Sequence, residues 1–140
     1  MTAGYSQTPL APKLGIKPGD AVSLISAPLG AATWLDPLPD GATVTSGANR
    51  RAAVTLLFVS WRYELEATIE DLGRLVFPDR SLWICWPKKA AKLPGDMTED
   101  VVRELALPLG LVDNKVCAVN EIWSGLRLVW RKELRERPTL

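Results

Sequence analysis

The stretch "AAVTLLFVS", Ala52 to Ser60, is apolar and β-branched almost without interruption. That pattern marks a strand buried on both faces of a parallel sheet, because a strand with one wet face alternates instead. A chain built around such a strand needs cover on both sides of its sheet. The cover on one side is legible immediately downstream. In "RYELEATIEDLGRLVF" Leu65, Ile69, Leu72 and Val76 recur at helical spacing, while Glu64, Glu70, Asp71 and Arg74 fall mostly elsewhere. Glu70 and Arg74 add a favourable pair four residues apart.

The same reading extends along the chain. A helical turn around Pro9 to Leu14 stops at Gly15, and a first strand covers Ala21 to Ile25. Gly30 to Leu35 forms a short helix, stopped by the turn-rich "DPLPDG". A weak strand follows at Ala42 to Ser46, and "SLWICW" makes another after the main helix. Asp96 with Glu99 offers a capping box for a helix over Thr98 to Leu107, with Thr98 as the competing cap. "NKVCAV" and "LRLVWRKEL" read as strands joined by the short connection "NEIWSG", hence as an antiparallel pair. Leu126, Leu128 and Trp130 alternate with Arg127, Val129 and Arg131, which gives the last strand one buried face and a place near the sheet edge. An edge there would invite a homodimer.

Strands alternating with helices and closing on a hairpin predict an α/β fold with a three-layer Rossmann-like sheet, mostly parallel with a C-terminal antiparallel hairpin. The order resembles an abbreviated class I methyltransferase fold, whose sheet also ends in a reversed strand. One strand and helix pair is missing, since only "GANRRA" separates the weak second strand from the central one. A parallel crossover normally takes about 10 residues or more. The second segment is therefore either a short edge strand reached without a helix or no strand at all.

With 140 residues and 47% apolar content, the chain suits a single domain, with residues 1–20 as an N-terminal arm and 134–140 as a frayed tail. Seventeen basic against sixteen acidic residues give no overall pull toward nucleic acid or anionic lipid. The run "RLVWRKELRERP" looks basic, but Glu133 and Glu136 cut its charge. No apolar run nears the roughly 20 residues that span a bilayer, and "MTAGYSQTPLAPK" has no leader pattern, so a cytoplasmic protein is expected. The absence of histidine excludes Ser-His-Asp and Cys-His chemistry and His-ligated zinc. Cys85 and Cys117, both within strands, read as buried free thiols, and no metal site is expected.

Ligands of such sheets gather at the carboxyl ends of the strands. The loop there is "SAPLGAA", in which only Gly30 remains to let a ligand approach the backbone and Pro28 removes a donor. Ser46 and Gly47 stand where an acid would hold ribose hydroxyls. The loop thus reads as degenerate, and no cofactor is expected. Ser26, Gly30, Ser60, Arg62, Trp86, Lys88, Lys89, Asn120, Glu121, Trp123 and Ser124 fall at or beyond strand ends on that edge and form the candidate ligand site. Lys88 and Lys89, near a helix start at Asp96, suit a small anionic or nucleotide-like ligand, or are solvated loop charges. Trp86 and Trp123 could stack on a planar ligand, or cover the sheet end and anchor the hairpin. Glu121 is a lone carboxylate, so no catalytic residue is assigned.

"GYSQTPLAPKLGIKPGD", "WPKKA", "MTEDVVRE" and "GLVDNKVCAVNEIWSGLRLVWR" together resemble a bacterial family, domain of unknown function 3052. The resemblance implies the fold and a bacterial cytosolic setting and brings no activity. It also implies an acid where Asn120 stands, so any catalytic role of that acid would be missing here. The resulting expectation is a non-enzymatic binding or regulatory module. The alternatives are an S-adenosylmethionine-dependent methyltransferase or other enzyme with a modified pocket, and a structural interaction protein or dimer without a small ligand.

Overall fold

The computed structural model describes residues 9–136. The leader reading at the N-terminus and most of the tail expected to fray therefore lie outside the described residues. Six strands form one sheet: β1 (Ala21–Ile25), β2 (Thr43–Ser46), β3 (Val54–Phe58), β4 (Ser81–Pro87), β5 (Leu111–Ala118) and β6 (Trp123–Trp130). Their spatial order is β2-β1-β3-β4-β6-β5. The first four are parallel, and β6 runs antiparallel to both β4 and β5. This is the mostly parallel α/β sheet with a reversed strand that the sequence predicts.

The "AAVTLLFVS" strand occupies the interior, and all five residues of β3 are buried. One face carries helix α2 (Arg62–Val76) and helix α3 (Glu99–Ala106), and the expected stripe of Leu65, Ile69, Leu72 and Val76 packs there with Leu57, Ile84 and Leu128. The other face is covered more thinly than a three-layer sandwich of full helices would be. Its layer is the four-residue helix α1 (Leu10–Lys13) and a 3-10 turn over Ala31–Leu35, which bury Ala11, Leu14, Ile16 and Leu35 against Val22, Leu56 and Trp83.

The second strand exists, lies at the sheet edge and runs parallel to β1. It returns to β3 without a helix because the pairing is so short. Ser46 is level with Leu24 and Val54 with Val22, so the chain needs to move back only about 7 Å along the strands and about 10 Å across β1. The seven residues 47–53 reach over 20 Å when extended. The amide of Gly47 donates to Leu24 (2.9 Å) and that of Ala53 to Ala21 (2.9 Å), fixing both ends of this crossing, and the Ser23 hydroxyl donates to the Gly47 carbonyl.

The hairpin corrects two expectations. The strand carrying Trp130 is not at the edge but between β4 and β5, and the connection is only residues 119–122, so Trp123 and Ser124 belong to β6. After Trp130 the chain leaves the sheet into a 3-10 turn at Lys132–Leu134. The true edge, β5, carries an irregularity between Asp113 and Lys115 and exposes Lys115, both features that discourage pairing with another strand.

Trp83, with no exposed surface, lies under α1, and its Nε1 donates to the Leu14 carbonyl at 3.0 Å. Room for the indole comes from Gly125 on β6, where a Cβ would lie 3.1 Å from Trp83 Cε3. Gly125 also stands in register between Cys85 and Cys117. The two cysteines are therefore two strand spacings apart, about 10 Å, beyond the reach of a disulfide. Both are buried free thiols, as expected. Burial pushes the Cys85 thiol far above its ordinary value, with Cys117 adding to the rise. Burial also raises Cys117, against the opposing pull of Lys13, Lys115 and Lys88. Among the described residues no helix is long and apolar enough to cross a membrane, and no cluster of three potential metal ligands occurs.

Two outcomes follow. Trp83→Phe removes the donor to Leu14 and leaves that carbonyl unsatisfied, so stability in urea unfolding falls by about 1 to 3 kcal/mol; an unchanged midpoint would show that the tie contributes nothing. Above pH about 8.5 the unfolded chain releases the Cys85 proton while the folded chain retains it, so stability falls with rising pH by up to about 1.4 kcal/mol per unit. Cys85→Ala flattens that slope between pH 8.5 and 10, and an identical slope in the variant would show that burial does not hold the proton.

Candidate functional site

At the carboxyl end of β1 the chain turns sharply at Ser26, whose φ is +56°, and runs through Pro28 and the fully exposed Leu29 to Gly30. Gly30 has φ +81° and begins the 3-10 turn over Ala31–Leu35, a conformation costly for other residues. This loop and the end of β2 line an open cleft of about 440 Å³, bordered by Leu24, Ser26, Pro28, Gly30, Ser46 and Gly47 among others. Ser26 and Gly30 thus meet in one place, together with Ser46 and Gly47 at the end of β2.

The other candidate residues do not join them. Ser60 and Arg62 lie at the start of α2, where the chain's own carboxylates occupy the amides. Glu64 Oε1 accepts from Ser60 (2.8 Å) and Trp61 (2.9 Å), and Asp96 Oδ1 accepts from the Arg62 amide (2.6 Å). The Asp96 amide donates in turn to the Ser60 carbonyl at 3.0 Å, an approach that needs glycine at position 95, where a Cβ would strike Ser60. The Arg62 guanidinium turns to Glu104 (2.5 Å) and Glu66 (3.6 Å), and its hydrogen bond to Glu104 raises its pKa. Asp96 therefore caps α2, not α3 as its spacing to Glu99 suggests. Thr98 caps α3, accepting from Val101 at 3.2 Å.

At the end of β4, Lys88 Nζ donates to the Asn120 carbonyl (2.9 Å) and its amide to Ile122 (2.7 Å). Asn120 Oδ1 accepts from Ile122 (2.9 Å) and Trp123 (2.8 Å), which closes the hairpin turn. Lys89 and Glu121 are exposed. Trp86 is buried in the core beneath α2 and α3, while Trp123 packs on the opposite face, so the two indoles do not bracket a common space. Ser124 pairs with Trp86 across the strands and is half-buried.

Trp123 instead ends an aromatic row that the sequence reading missed. Its ring meets Phe58 edge-on at 5.2 Å, and Phe58 meets Trp34 at 6.1 Å. The signal for Phe58 was present, since it alternates with Leu57 at the end of β3. Trp34 lay in a segment with too little periodicity to assign a face.

No family model matches the chain, and no curated protein matches it. Solved structures do. The chain is similar to an S-adenosylmethionine-dependent methyltransferase from Aquifex aeolicus, at 14% identity over 85% of this chain and 86% of that one, with a TM-score of 0.61. A Sulfolobus solfataricus protein classed with the type 11 methyltransferases aligns over 94% of this chain and 95% of its own at 12% identity, with a TM-score of 0.65. Magnesium protoporphyrin IX methyltransferase from Synechocystis PCC 6803, with bound S-adenosylhomocysteine, aligns over 81% and 75% at 14% identity, with a TM-score of 0.54. At these identities the likeness is one of fold: the chain has the Rossmann-like architecture of the class I methyltransferases.

Proposed function

We propose that the chain binds an S-adenosylmethionine-type ligand in the cleft between the Ser26 to Gly30 loop and the end of β2, as an enzyme with a modified pocket. The observation that carries this reading is the position of the cavity, at the carboxyl ends of β1 and β2 of a methyltransferase-like sheet. Its volume of about 440 Å³ falls within the roughly 300 to 1,000 Å³ usual for small-molecule sites. Space beside Gly30 is open, since no atom lies within 4 Å of where its Cβ would be.

The polar complement is modified. Ser46 offers a neutral hydroxyl at the place suited to a ribose-binding carboxylate, and Pro28 withholds an amide. Weak adenosyl affinity follows, because a charged acceptor makes a hydrogen bond about twice as strong as a neutral one. The bound group would supply an electrophilic methyl on sulfur, and the residues that would hold it are Ser26, Gly30 and Ser46. A second reading, a binding module without turnover, is favoured by one observation: Asp96 and Glu64 already fill the amides at the start of α2.

Thermal unfolding with S-adenosylhomocysteine tests the adenosyl site, and turnover separates the two readings. A saturable rise in Tm is expected, larger in Ser46→Asp, where an exposed site gains the missing carboxylate and affinity increases about tenfold. Transfer of the methyl group of S-adenosylmethionine to an added nucleophilic acceptor, which loses a proton and leaves S-adenosylhomocysteine, would then mark the enzyme. Absence of any shift in both wild type and Ser46→Asp would overturn the adenosyl site and leave the module.

A further inference from the structure

The opposite end of the sheet holds a second cavity. Lys13, Leu14 and Gly15 of the α1 segment, Asp20 before β1, Val54 at the start of β3, Ser81 at the start of β4, and Lys115 and Arg127 on the hairpin surround about 290 Å³. Lys17 and Asp79 also border it, so four cationic side chains face two carboxylates. Asp20 is partly engaged, accepting from the Lys17 amide at 2.9 Å.

The strand register explains how this charge is gathered. Lys115, Arg127 and Trp83 are direct neighbours across β5, β6 and β4, on the face covered by α1. The outer two each reach a carbonyl at the end of α1. Lys115 Nζ donates to Lys13 at 2.6 Å, and Trp83 Nε1 to Leu14 at 3.0 Å. Arg127, between them, has no such carbonyl. Among the described residues its Nη1 makes only a long contact to Asn114 Oδ1 (3.5 Å), and its buried Nε has no partner. None of the ion pairs among the described residues involves Lys13, Lys17, Lys115 or Arg127. A half-buried guanidinium without a counter-charge is unfavourable, and an anion in the cavity would supply that charge at its outer nitrogens. Burial and nearby Arg135 depress its pKa, in keeping with a cation that lacks its counter-charge.

We infer that this cavity is a binding site for a compact phosphate or phosphate monoester dianion, held by the Arg127 fork with Lys13, Lys17 and Lys115 around it. A planar guanidinium with several ammonium groups matches the several acceptor oxygens and doubled charge of a phosphoryl group better than it matches a single carboxylate. The volume admits a small phosphorylated metabolite and is short of a nucleotide-sized site. Asp79, at the border, can accept from a hydroxyl of such a ligand. The site lies across the sheet from the Ser26 to Gly30 cleft and stands whether or not an adenosyl ligand binds there.

The test uses the intact chain and inorganic phosphate, with sodium chloride at matched ionic strength as the reference. A saturable rise in Tm of several degrees at millimolar phosphate is expected, with broadening of the phosphorus-31 resonance. Arg127→Gln abolishes both effects, Lys17→Gln weakens binding several-fold, and Lys92→Gln, exposed at the other end of the sheet, leaves binding unchanged. Should Arg127→Gln fail to fold, the exposed Lys17→Gln carries the decision. No saturable shift beyond chloride, or equal shifts in wild type and Lys17→Gln, would overturn the inference.

Discussion

The indole of Trp83 is the contact on which the second face of this protein depends. β3 and β4 are buried on both sides, but only one side has helices of ordinary length. The other is closed by a four-residue helix that is too short to hold its shape alone. The hydrogen bond from Trp83 Nε1 to Leu14, across 69 positions of sequence, fixes that helix over the sheet. Gly125 makes it possible by leaving the space the ring occupies, and its strand β6 keeps Cys85 and Cys117 two strand spacings apart.

From this closure the two ends of the sheet acquire different characters. At the carboxyl end the chain satisfies most of its own polar groups. Asp96 and Glu64 serve the start of α2, and Lys88 and Asn120 hold the hairpin. What stays open is the cleft beside Gly30. At the amino end the α1 carbonyls satisfy Lys115 and Trp83 but not Arg127, so positive charge gathers there in excess of the two bordering carboxylates, with no ion pair to them among the described residues. The same short helix thus completes the core and creates the electrostatic asymmetry.

The fold was legible where a segment's pattern is set by its own burial. β3 and the stripe of α2 read correctly because each residue's environment follows from its spacing. Element ends were harder. Asp96 sits three residues before Glu99 in the arrangement of a capping box, yet its carboxylate lies on a helix 34 residues earlier, because the Gly95 loop folds down on Ser60. Trp86 and Trp123 end neighbouring strands, and only the register shows that they occupy opposite faces. Of the candidate site, Ser26 and Gly30 were legible as a glycine-bearing loop after the first strand. The aromatic row that joins Phe58 to Trp34 and Trp123 and the amino-end cations were not, since they are assembled from segments far apart in the chain.

By itself the sequence determined that this chain supplies no histidine-dependent chemistry, and it determined the class of sheet, through the double-faced apolar strand and its amphipathic helix. Those properties are local, carried by composition and period. Tertiary structure alone decided that β2 runs parallel, that β6 lies inside the sheet, and that Lys115, Arg127 and Trp83 share one row. The reason is physical: direction and register are set by hydrogen bonds between distant segments, and no single segment encodes which of its neighbours will receive them.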